Sequence, residues 1–572
     1  MATASSAERQ ADRPIPAEGS TGELWVAAVT ILLGLFAVCW GINRIPLIDP
    51  DEGRNAEVAR EMLARSDWIV PHFQGLPYLD KPALYFDAVA LSQAVFGRSE
   101  ASSRLPSVLF AAATAVASFL LGARLLGRRK ALLGVGVLMT APLFVGFARI
   151  VIFDMPLACF VTFALLFAEE GRRGRRWGFP LSWAATALAV LTKGPVGLLL
   201  PILGFVMLSL GQEPPRRIGR YFHPLNILLF FAVALPWVIA MEIRNPGFLR
   251  YVFVIETFER LTRPTFHRTG SVFYYVPVLL LGLLPWSIAA LGRVPAWIRG
   301  LGGFARPSAE RGLLLASAAI VLFFSFSTSK LGGYILPAFP LLAILVGGEA
   351  ARLRGRPGGF AFVPGIALFL LGAAFSLGFT RGMIAHSLRQ PEALMGAAQA
   401  LLLRVGVVSI TFGAALIALA AARRAAPAFL ILGLWLPLVV ALGRGPMLLY
   451  AEENSSRRLA VELRRLAGDD VRVASLECFP IGLDYYMGRV VPIATSTGEE
   501  ITSTYVARYL DKFRQGETPG IWSPEELAVR ASRKEVDIIV TRGHIDLNGS
   551  YELAALVGRF ALWRPASAAP AN

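Results

Sequence analysis

The sequence predicts a mainly α-helical polytopic membrane protein with about thirteen transmembrane helices and a small external α/β domain at the C-terminal end. Two observations support this prediction. Hydrophobic residues make up 55% of the 572 residues and charged residues only 17%, a composition too apolar for a soluble protein of this length. In addition, long apolar runs alternate with short basic clusters over most of the chain, as in proteins that cross a membrane many times.

The formal net charge of +16 at pH 7 is explained by the same topology. Lysine and arginine collect in the cytoplasmic loops of membrane proteins, and here they cluster between the apolar runs. We therefore expect no nucleic-acid partner. The three cysteines, Cys39, Cys159 and Cys478, are far apart in the sequence, so neither a disulfide framework nor a cysteine metal cluster is predicted.

Apolar length places the predicted spans, and the basic clusters orient them. Residues 1–23 are polar and are predicted to form a disordered cytoplasmic tail. With the basic clusters on the cytoplasmic side, the N-terminus lies inside and the C-terminus outside. The predicted transmembrane domain covers residues 24–444, with spans at residues 24–42, 104–123, 131–148, 155–170, 179–193, 195–211, 224–242, 272–291, 312–329, 334–350, 360–379, 400–421 and 427–444.

The first external loop, residues 43–103, contains an apolar stretch and a charged segment, both predicted to be juxtamembrane helices or interfacial elements. The apolar stretch from Pro82 to Phe96 is about fifteen residues long, which suits an interfacial or re-entrant element better than a span. The charged segment is predicted to be helical over residues 56–64. Arg54, Glu57 and Glu61 then fall on one face, and Asp51 and Glu52 lie before or at the first turn.

Acidic residues at a helix start have two interpretations. They are ordinary helix-capping groups in many proteins. Beside a membrane span, however, ionisable groups are costly and usually functional, which favours a functional role here.

The predicted topology places a set of polar residues at one external surface, although it was not built from them. They are Asp51, Glu52, Lys81, Asp154, Lys193, His267, Lys330 and Tyr334. Local alternatives exist, since Asp154 precedes a predicted helix and suits an N-cap, while Lys193 and Lys330 suit snorkelling at helix ends. The external loop 243–271 is rich in arginine and includes Arg268. It is either a solvated loop or a site for an anionic ligand such as a lipid phosphate.

The composition changes near residue 445, and residues 445–572 are predicted to form the external α/β domain. An amphipathic segment runs from Arg457 to Leu466. Strand-like runs follow at residues 471–476 and 536–540. No catalytic signature is visible in this part of the sequence.

Several motifs resemble those of the bacterial aminoarabinose lipid A transferases, which are relatives of the protein O-mannosyltransferases in the GT-C class of glycosyltransferases. The resemblance covers residues 24–350 in motifs and the whole chain in layout. The motifs are Asp51-Glu52-Gly53-Arg54, Asp67-Trp68-Ile69-Val70-Pro71-His72, Gly75-Leu76-Pro77-Tyr78-Leu79-Asp80-Lys81-Pro82, Phe153-Asp154-Met155-Pro156, Thr192-Lys193-Gly194, Leu284-Pro285-Trp286 and Ser329-Lys330-Leu331-Gly332-Gly333-Tyr334. The sequence departs from the family pattern at Asn55, Asp80 and Ala83, which leaves the identity of the sugar open.

The resemblance implies a polyprenyl-phosphate-sugar donor and a site on the periplasmic face of a bacterial inner membrane. It implies that Asp51 is the principal carboxylate, that Lys81 lies near the lipid phosphate, and that Tyr78 and Tyr334 lie near the donor. It also implies that Asp80 and His267 hold a divalent metal ion such as Zn²⁺, Mg²⁺ or Mn²⁺, although one carboxylate and one imidazole are an incomplete ligand set. The implied acceptor is a lipid A phosphate, with a hydroxyl on a protein or glycan as the alternative.

The expected chemistry also follows from the reaction type. When a sugar leaves polyprenyl phosphate, positive charge develops on the sugar and negative charge on the departing phosphate, so cations and a carboxylate are both needed. Asp51, Glu52, Lys81 and Asp154 are the predicted catalytic residues. The predicted donor and phosphate ligands are Arg54, Tyr78, Lys81, Arg268, Lys330 and Tyr334. A lipid or solute transporter is the alternative of another class, but polar residues at one surface and the lack of a visible inverted repeat disfavour it.

Overall fold

Helices make up most of the computed structural model. It describes residues 21–212, 218–252, 270–302, 307–352, 358–378, 392–501, 503–510, 520–545, 547 and 550–566. The helices of the membrane part and its loops are α1 (Thr21–Cys39), α2 (Asp51–Arg65), α3 (Leu84–Phe96), α4 (Glu100–Leu126), α5 (Arg128–Met139), α6 (Pro142–Ala148), α7 (Asp154–Arg172), α8 (Gly178–Lys193), α9 (Val196–Leu210), α10 (Ile218–Tyr221), α11 (Pro224–Arg244), α12 (Phe248–Arg250), α13 (Tyr275–Gly282), α14 (Trp286–Leu291), α15 (Val294–Gly302), α16 (Ala309–Phe326), α17 (Phe339–Arg352), α18 (Gly358–Ser376), α19 (Glu392–Ala421) and α20 (Ala425–Leu442).

The predicted multi-span helical architecture is confirmed. Within the described residues, six helices are long and apolar enough to cross a membrane, and α5 with α6 forms a further candidate that is bent by 67°. The six are Glu100–Leu126, Ile218–Arg244, Ala309–Phe326, Gly332–Arg352, Leu394–Ala421 and Ala425–Leu442. The remaining predicted spans coincide with shorter helices or with helices that carry more charge.

One predicted span is broken in the structure. The sequence predicts a continuous helix over residues 272–291, but α13 ends at Gly282 and α14 begins at Trp286. Pro285 lies in the break, and proline has no N–H to donate to the helical ladder. The apolar run is therefore continuous in composition but not in backbone geometry.

The apolar stretch of the first loop forms α3, a helix of 13 residues. At 1.5 Å per residue it is about 20 Å long, well short of the apolar thickness of a bilayer, which is about 30 Å. One side of α3 is buried through Tyr85 and Phe86, whereas Val95 and Phe96 are exposed. This length and this two-sided burial fit the predicted interfacial element.

The C-terminal part forms a six-stranded sheet with flanking helices, as predicted. Its strand order is β5-β4-β3-β6-β8-β7, with parallel pairs from β5 to β6 and antiparallel pairs at the β8 and β7 edge. The strands are β3 (Val473–Leu476), β4 (Ile493–Ala494), β5 (Ile521–Trp522), β6 (Ile538–Arg542), β7 (Tyr551–Val557) and β8 (Phe560–Pro565). The helices are α21 (Arg444–Glu453), α22 (Arg457–Ala467), α23 (Leu483–Met487), α24 (Thr504–Arg508) and α25 (Pro524–Ser532).

The C-terminal sheet domain packs on the first loop. Apolar side chains of α2, including Met62, share one buried cluster with Phe479 and Tyr485 of the C-terminal part. The backbones approach closely at Gly53 and Gly482, where a Cβ on Gly53 would lie 2.7 Å from the Cα of Gly482. This packing fixes the position of α2, which carries the candidate site.

Candidate active site

Helix α2 begins at the carboxylate that the sequence analysis singled out. Asp51 is the first residue of α2, and Pro50 before it makes no side-chain capping hydrogen bond. The Asp51 side chain is 46% exposed and lies 2.5 Å from Nη2 of Arg54, one turn further along the helix. The other three carboxylates of α2 are buried. Asp51 is therefore the accessible carboxylate of this helix.

A tight hairpin leads from α2 to the second motif. Strands β1 (His72–Phe73) and β2 (Leu76–Pro77) pair antiparallel. The two residues of the turn, Gln74 and Gly75, both have left-handed backbone angles, with φ of 59° and 74°. Such angles suit a two-residue hairpin, and glycine adopts them without steric cost. The chain leaves β2 directly into the segment Tyr78–Lys81.

Arg54 is the centre of a charged group formed by these two motifs. Burial opposes the charge of its guanidinium, but the nearby Tyr78, Asp51 and Asp80 raise the pKa of Arg54 above its ordinary value. Lys81 donates a hydrogen bond from Nζ to the backbone oxygen of Asp80 at 2.6 Å. Arg54 thus lies beside the accessible carboxylate of Asp51 and interacts with Asp80, whose backbone oxygen binds the Lys81 ammonium. Two cations in one charged group suit the binding of a phosphate next to a developing positive charge.

Glu52, which the sequence analysis predicted to be catalytic, is buried, and its carboxylate accepts hydrogen bonds from other parts of the protein. Arg104 binds it through two hydrogen bonds, from Nε to Oε1 at 2.8 Å and from Nη2 to Oε2 at 2.7 Å. The backbone N–H groups of Ile48 and Val151 donate to the same carboxylate, each at 3.1 Å. A carboxylate has about four lone-pair directions, so these four donors leave Glu52 none for a substrate. The side chain fastens α2 to α4, whereas the sequence suggested a catalytic role, and the variant Glu52→Gln distinguishes the two roles.

The segment before α7 connects the charged group to the next predicted site residue. The side-chain amide of Asn55 donates to the backbone oxygen of Val151 at 2.7 Å, and Val151 donates to Glu52. Asp154 follows Val151 by three residues in the sequence. Because one residue extends the chain by at most about 3.6 Å, the Cα atom of Asp154 lies within about 11 Å of that of Val151.

Asp154 and Lys193 form a buried ion pair. The Lys193 Nζ lies 2.6 Å from Asp154 Oδ1, and the two side chains are only 14% and 7% exposed. The same ammonium lies 4.9 Å from the ring centroid of Tyr334. Asp154 is the first residue of α7, and the N-cap position is held by Phe153 without a side-chain capping bond. The ion pair therefore explains the positions of both side chains, without helix capping by Asp154 or snorkelling of Lys193.

Lys330 has a different role from the predicted one. Its side chain is buried, and its ammonium donates to the backbone oxygens of Phe324 at 3.1 Å, Ser325 at 2.7 Å and Ser327. An ammonium has three N–H donors, so all of them are occupied. Lys330 therefore satisfies the last carbonyls of α16, whereas the sequence suggested a phosphate ligand or a snorkelling residue, and the variant Lys330→Met distinguishes these roles.

A cluster of three buried carboxylates lies between α2 and the C-terminal domain. Oxygen atoms of Glu57, Glu61 and Asp484 all lie within 4.8 Å of one another. Arg60 binds Glu57 through two hydrogen bonds, at 2.7 Å and 2.6 Å. Burial raises the pKa of Glu57 to about 7, and burial likewise raises the pKa of Glu61 and that of Asp484. This contact holds α2 against α23 through carboxylates whose pKa values are raised by burial.

The predicted metal ligands are only partly within the described structure. His267 and Arg268 lie outside the described residues. Asp80 is buried, and its carboxylate accepts a hydrogen bond from the hydroxyl of Tyr251. One carboxylate that already accepts a phenol O–H is not a ligand set for a divalent ion. The described residues alone do not fit a metal ion at this position.

A family model described as dolichyl-phosphate-mannose-protein mannosyltransferase matches residues 80–239. Two curated relatives, from Edwardsiella ictaluri and Aeromonas hydrophila, are both described as undecaprenyl phosphate-alpha-4-amino-4-deoxy-L-arabinose arabinosyl transferase. The first is 34% identical over 333 residues and the second 33% over 329 residues. The matches cover 57% and 56% of this chain and only 59% of the length of each relative.

Two solved structures are similar over almost the whole chain. The crystal structure of ArnT from Cupriavidus metallidurans bound to undecaprenyl phosphate has a TM-score of 0.80 at 24% identity, and covers 95% of this chain and 98% of that one. The apo state of the same protein has a TM-score of 0.78 at 25% identity, with coverages of 94% and 97%. The resemblance to the aminoarabinose transferases is confirmed. The chain has the GT-C fold of ArnT with a C-terminal sheet domain.

On this fold shared with the aminoarabinose transferases, the predicted residues divide into groups. The structure brings together Asp51, Arg54, Tyr78, Asp80 and Lys81 around α2. A second group is formed by Asp154, Lys193 and Tyr334. Sequence reasoning missed Arg104, Tyr251 and Asp484 as partners of these motifs. No spacing rule links these three residues to the motifs, because each contact joins separate elements. The ion pair of Arg60 with Glu57 follows the i,i+3 spacing of a helix and could have been predicted, although the sequence analysis did not assign it.

Proposed function

We propose that this chain is an integral-membrane glycosyltransferase that moves a sugar from a polyprenyl-phosphate donor to an acceptor at the outer face of the membrane. The observation that carries the proposal is the accessible Asp51 carboxylate paired with Arg54, in a charged group that also contains Asp80 and Lys81. The relatives named arabinosyl transferases and the fold shared with ArnT support the same reaction class.

The two charge types of the group have separate tasks. As the bond between the sugar and the donor phosphate breaks, negative charge grows on the phosphate, and Arg54 and Lys81 stabilise it. Positive charge grows at the same time on the sugar ring, and the Asp51 carboxylate stabilises that charge or positions the acceptor. The products are a glycosylated acceptor and free polyprenyl phosphate.

The contact between Asp51 and Arg54 also suggests how donor binding prepares the site. Before the donor arrives, the guanidinium is paired with Asp51 at 2.5 Å. A phosphate is likewise a bidentate acceptor for arginine and would compete for the same N–H groups. Donor binding then draws Arg54 toward the phosphate and leaves the Asp51 carboxylate available to the sugar.

The acceptor that we propose is a lipid A phosphate, with aminoarabinose as the sugar. A phosphate acceptor is already an anionic nucleophile at neutral pH, so no general base is needed. A hydroxyl on a protein or glycan is the alternative acceptor and would require a base to remove its proton. The departures from the family pattern at Asn55 and Asp80 are the reason for keeping a second acceptor, and a second sugar, as alternatives.

The remaining predicted site residues receive revised roles. Asp154 and Lys193, paired with each other beneath Tyr334, form one wall of the donor site. Glu52 and Lys330 are assigned to the scaffold because their hydrogen-bonding capacity is filled. Tyr78 is placed near the donor with Arg54. Since the described residues do not complete a ligand set at Asp80, no step is assigned to a metal ion.

The proposed topology has thirteen spans, counted from the apolar runs and their basic loops (about twenty residues each). Residues 24–444 form the transmembrane glycosyltransferase domain, residues 1–23 a cytoplasmic tail, and residues 445–572 a periplasmic α/β domain. The location is a bacterial inner membrane with the site facing the periplasm. Helices α1, α7, α8, α9, α18 and the broken α13 and α14 supply the spans that are short, charged or interrupted.

Release of the lipid carrier distinguishes this proposal from transport. Purified protein should convert undecaprenyl-phosphate aminoarabinose and lipid A to modified lipid A, with one undecaprenyl phosphate released for each sugar transferred. A transporter would move its substrate between compartments without breaking the sugar–phosphate bond. Breakage of the donor, or transfer of its sugar, that depends on an added protein or glycan and not on lipid A would instead support the hydroxyl acceptor.

A further inference from the structure

A cavity of about 330 Å³ lies between the end of α1 and the start of α21, and its lining contains none of the candidate-site residues. Its lining residues are Phe36, Cys39, Trp40, Gly41, Asn43, Arg44 and Arg444. It therefore joins the first predicted span, the end of the last one, and the helix that leads into the C-terminal domain.

The cavity carries two arginines whose charge is not balanced locally. Within the described part of the chain, neither Arg44 nor Arg444 forms an ion pair with a carboxylate. The guanidinium carbon of Arg444 lies 5.8 Å from the ring centroid of Trp40. Under the topology proposed above, this end of α1 is external, and membrane proteins usually keep arginine on the opposite side. The position of these two arginines therefore needs another explanation.

The cavity also has an aromatic wall on α1, a helix that exposes apolar side chains. Phe36 and Trp40 lie one helical turn apart, with ring centroids separated by 4.8 Å. Their side chains are 40% and 36% exposed, on a helix whose Leu32 is 63% exposed. Tryptophan at the end of a span is typical of the membrane interface, where one side of the ring is apolar and the other polar.

We propose that this cavity binds an anionic phospholipid of the surrounding leaflet. The lipid phosphate lies between the guanidinium groups of Arg44 and Arg444, which suit phosphate oxygens in charge and geometry. The glycerol and the first part of an acyl chain lie on Phe36 and Trp40. Free phosphate would satisfy the arginines but would leave the aromatic wall uncovered, so the occupant is a lipid.

The bound lipid stabilises the joint between the membrane part and the C-terminal domain. Arg457, the first residue of α22, donates from Nη1 to the backbone oxygen of Arg44 at 3.5 Å. Arg444 itself is the first residue of α21, which follows α20 directly. A lipid held by both arginines therefore connects α1 to the segment that carries the sheet.

Cys39 provides a direct probe, because it is exposed and lines the cavity, whereas Cys159 and Cys478 are buried. Purified protein in a neutral detergent is labelled with a maleimide, alone or with phosphatidylglycerol, phosphatidylcholine of the same acyl chains, or inorganic phosphate. We expect phosphatidylglycerol to slow the labelling of Cys39 at least about fivefold, because its phosphate binds the arginines and its acyl chain binds the aromatic wall. Phosphatidylcholine and inorganic phosphate should each leave the labelling rate within about twofold, because the first has no net charge and the second has no acyl chain. Cys39→Ser verifies that the measured label is on Cys39.

The double variant Arg44→Gln, Arg444→Gln should remove the protection by phosphatidylglycerol. The matched control Arg423→Gln, Arg424→Gln, at the opposite end of α20, should retain it. If the double variant folds poorly, the single Arg44→Gln variant is used instead, and it should reduce the protection by phosphatidylglycerol by at least about half. Equal protection by phosphatidylcholine, protection by inorganic phosphate alone, or full protection in the arginine variants would each overturn the proposal.

Discussion

Glu52 and Arg104 form a two-pronged ion pair in which both side chains are almost completely buried, at 4% and 3% exposure. The pair joins the first turn of α2 to the start of α4, and Arg104 donates further hydrogen bonds to backbone oxygens of residues 42, 45 and 46. It therefore holds the connection between the first span and α2 in place. Because Glu52 is held by Arg104, the adjacent Asp51 at the start of α2 is held in position as well.

Loss of one partner from this pair should destabilise the protein rather than its chemistry. Glu52→Gln leaves the Arg104 charge buried and uncompensated, which typically costs about 3–5 kcal/mol. We expect a lower thermal unfolding midpoint in detergent, with turnover per folded molecule within a fewfold of wild type. The second change Arg104→Met removes the orphaned charge and should restore part of the stability. A stable Glu52→Gln protein without activity would return Glu52 to the catalytic residues.

Lys330→Met should also act on stability alone. The change removes the three hydrogen bonds that the ammonium gives to the end of α16, and unsatisfied buried carbonyls cost about 1–3 kcal/mol. The donor KM should stay unchanged, because no N–H of Lys330 is directed to a ligand. Lys130→Met, in α5 and on the other membrane face in the proposed topology, is the control for loss of a lysine. A large rise in the donor KM for Lys330→Met would support the phosphate-binding role.

Lys81→Ala should weaken use of the donor more than use of the acceptor. In the proposed reaction, the ammonium stabilises the leaving phosphate by Coulomb attraction, which is several times stronger in a partly desolvated site than in water. We expect kcat/KM for the donor to fall at least about tenfold, or about 1.4 kcal/mol. The acceptor KM should change little, and Lys130→Ala should leave both values unchanged. Equal losses toward donor and acceptor would contradict this assignment.

The carboxylate cluster predicts a stability that depends on pH. Burial raises the pKa of Glu57 from 4.5 to about 7, so between those values the folded protein keeps a proton that the unfolded chain has lost. Stability from this group is therefore fully present below about pH 4.5 and is lost as the pH rises through about 7. Glu61 and Asp484 act in the same direction, since burial also raises the pKa of each.

The measurement is the thermal unfolding midpoint in detergent between pH 5 and 8. We expect the midpoint to fall as the pH rises through this window and the slope to be smaller in Asp484→Asn, which keeps the shape and removes one buried charge. Asp469→Asn, at a side chain that is 90% exposed, should leave the slope unchanged. A midpoint that rises with pH, or an unchanged slope in Asp484→Asn, would show that this cluster does not control the contact.

Local pattern predicted much of the fold. Apolar runs and basic clusters located the helices, and the spacing of Ala56 to Ala64 predicted the helix that the structure shows as Asp51–Arg65. The strands at residues 473–476 and 538–542 were also visible as short β-branched runs. The break near Pro285 was missed because composition alone does not locate the end of a helix inside an apolar run.

The site was predictable in its motifs but not in its partners. Arg104 is 52 residues from Glu52 in the sequence, and Gln74 is 410 residues from Asp484, to which it donates. Such pairs result from tertiary packing, which one sequence does not encode as a spacing. The same limit explains Lys330, whose partners are the carbonyls of the preceding helix end. Sequence reasoning identified its charge but not the direction of its N–H groups.

The most direct test of the central claim is transfer by Asp51→Asn, a change that keeps the shape of the side chain and removes the charge beside Arg54. Sugar transfer from undecaprenyl-phosphate aminoarabinose to lipid A, followed by mass spectrometry, should fall by about 100-fold or more. The thermal midpoint should stay near that of wild type because the residue is 46% exposed, and the control Asp469→Asn should keep full activity. Transfer by Asp51→Asn within threefold of wild type would remove Asp51 from the mechanism and contradict the proposed site.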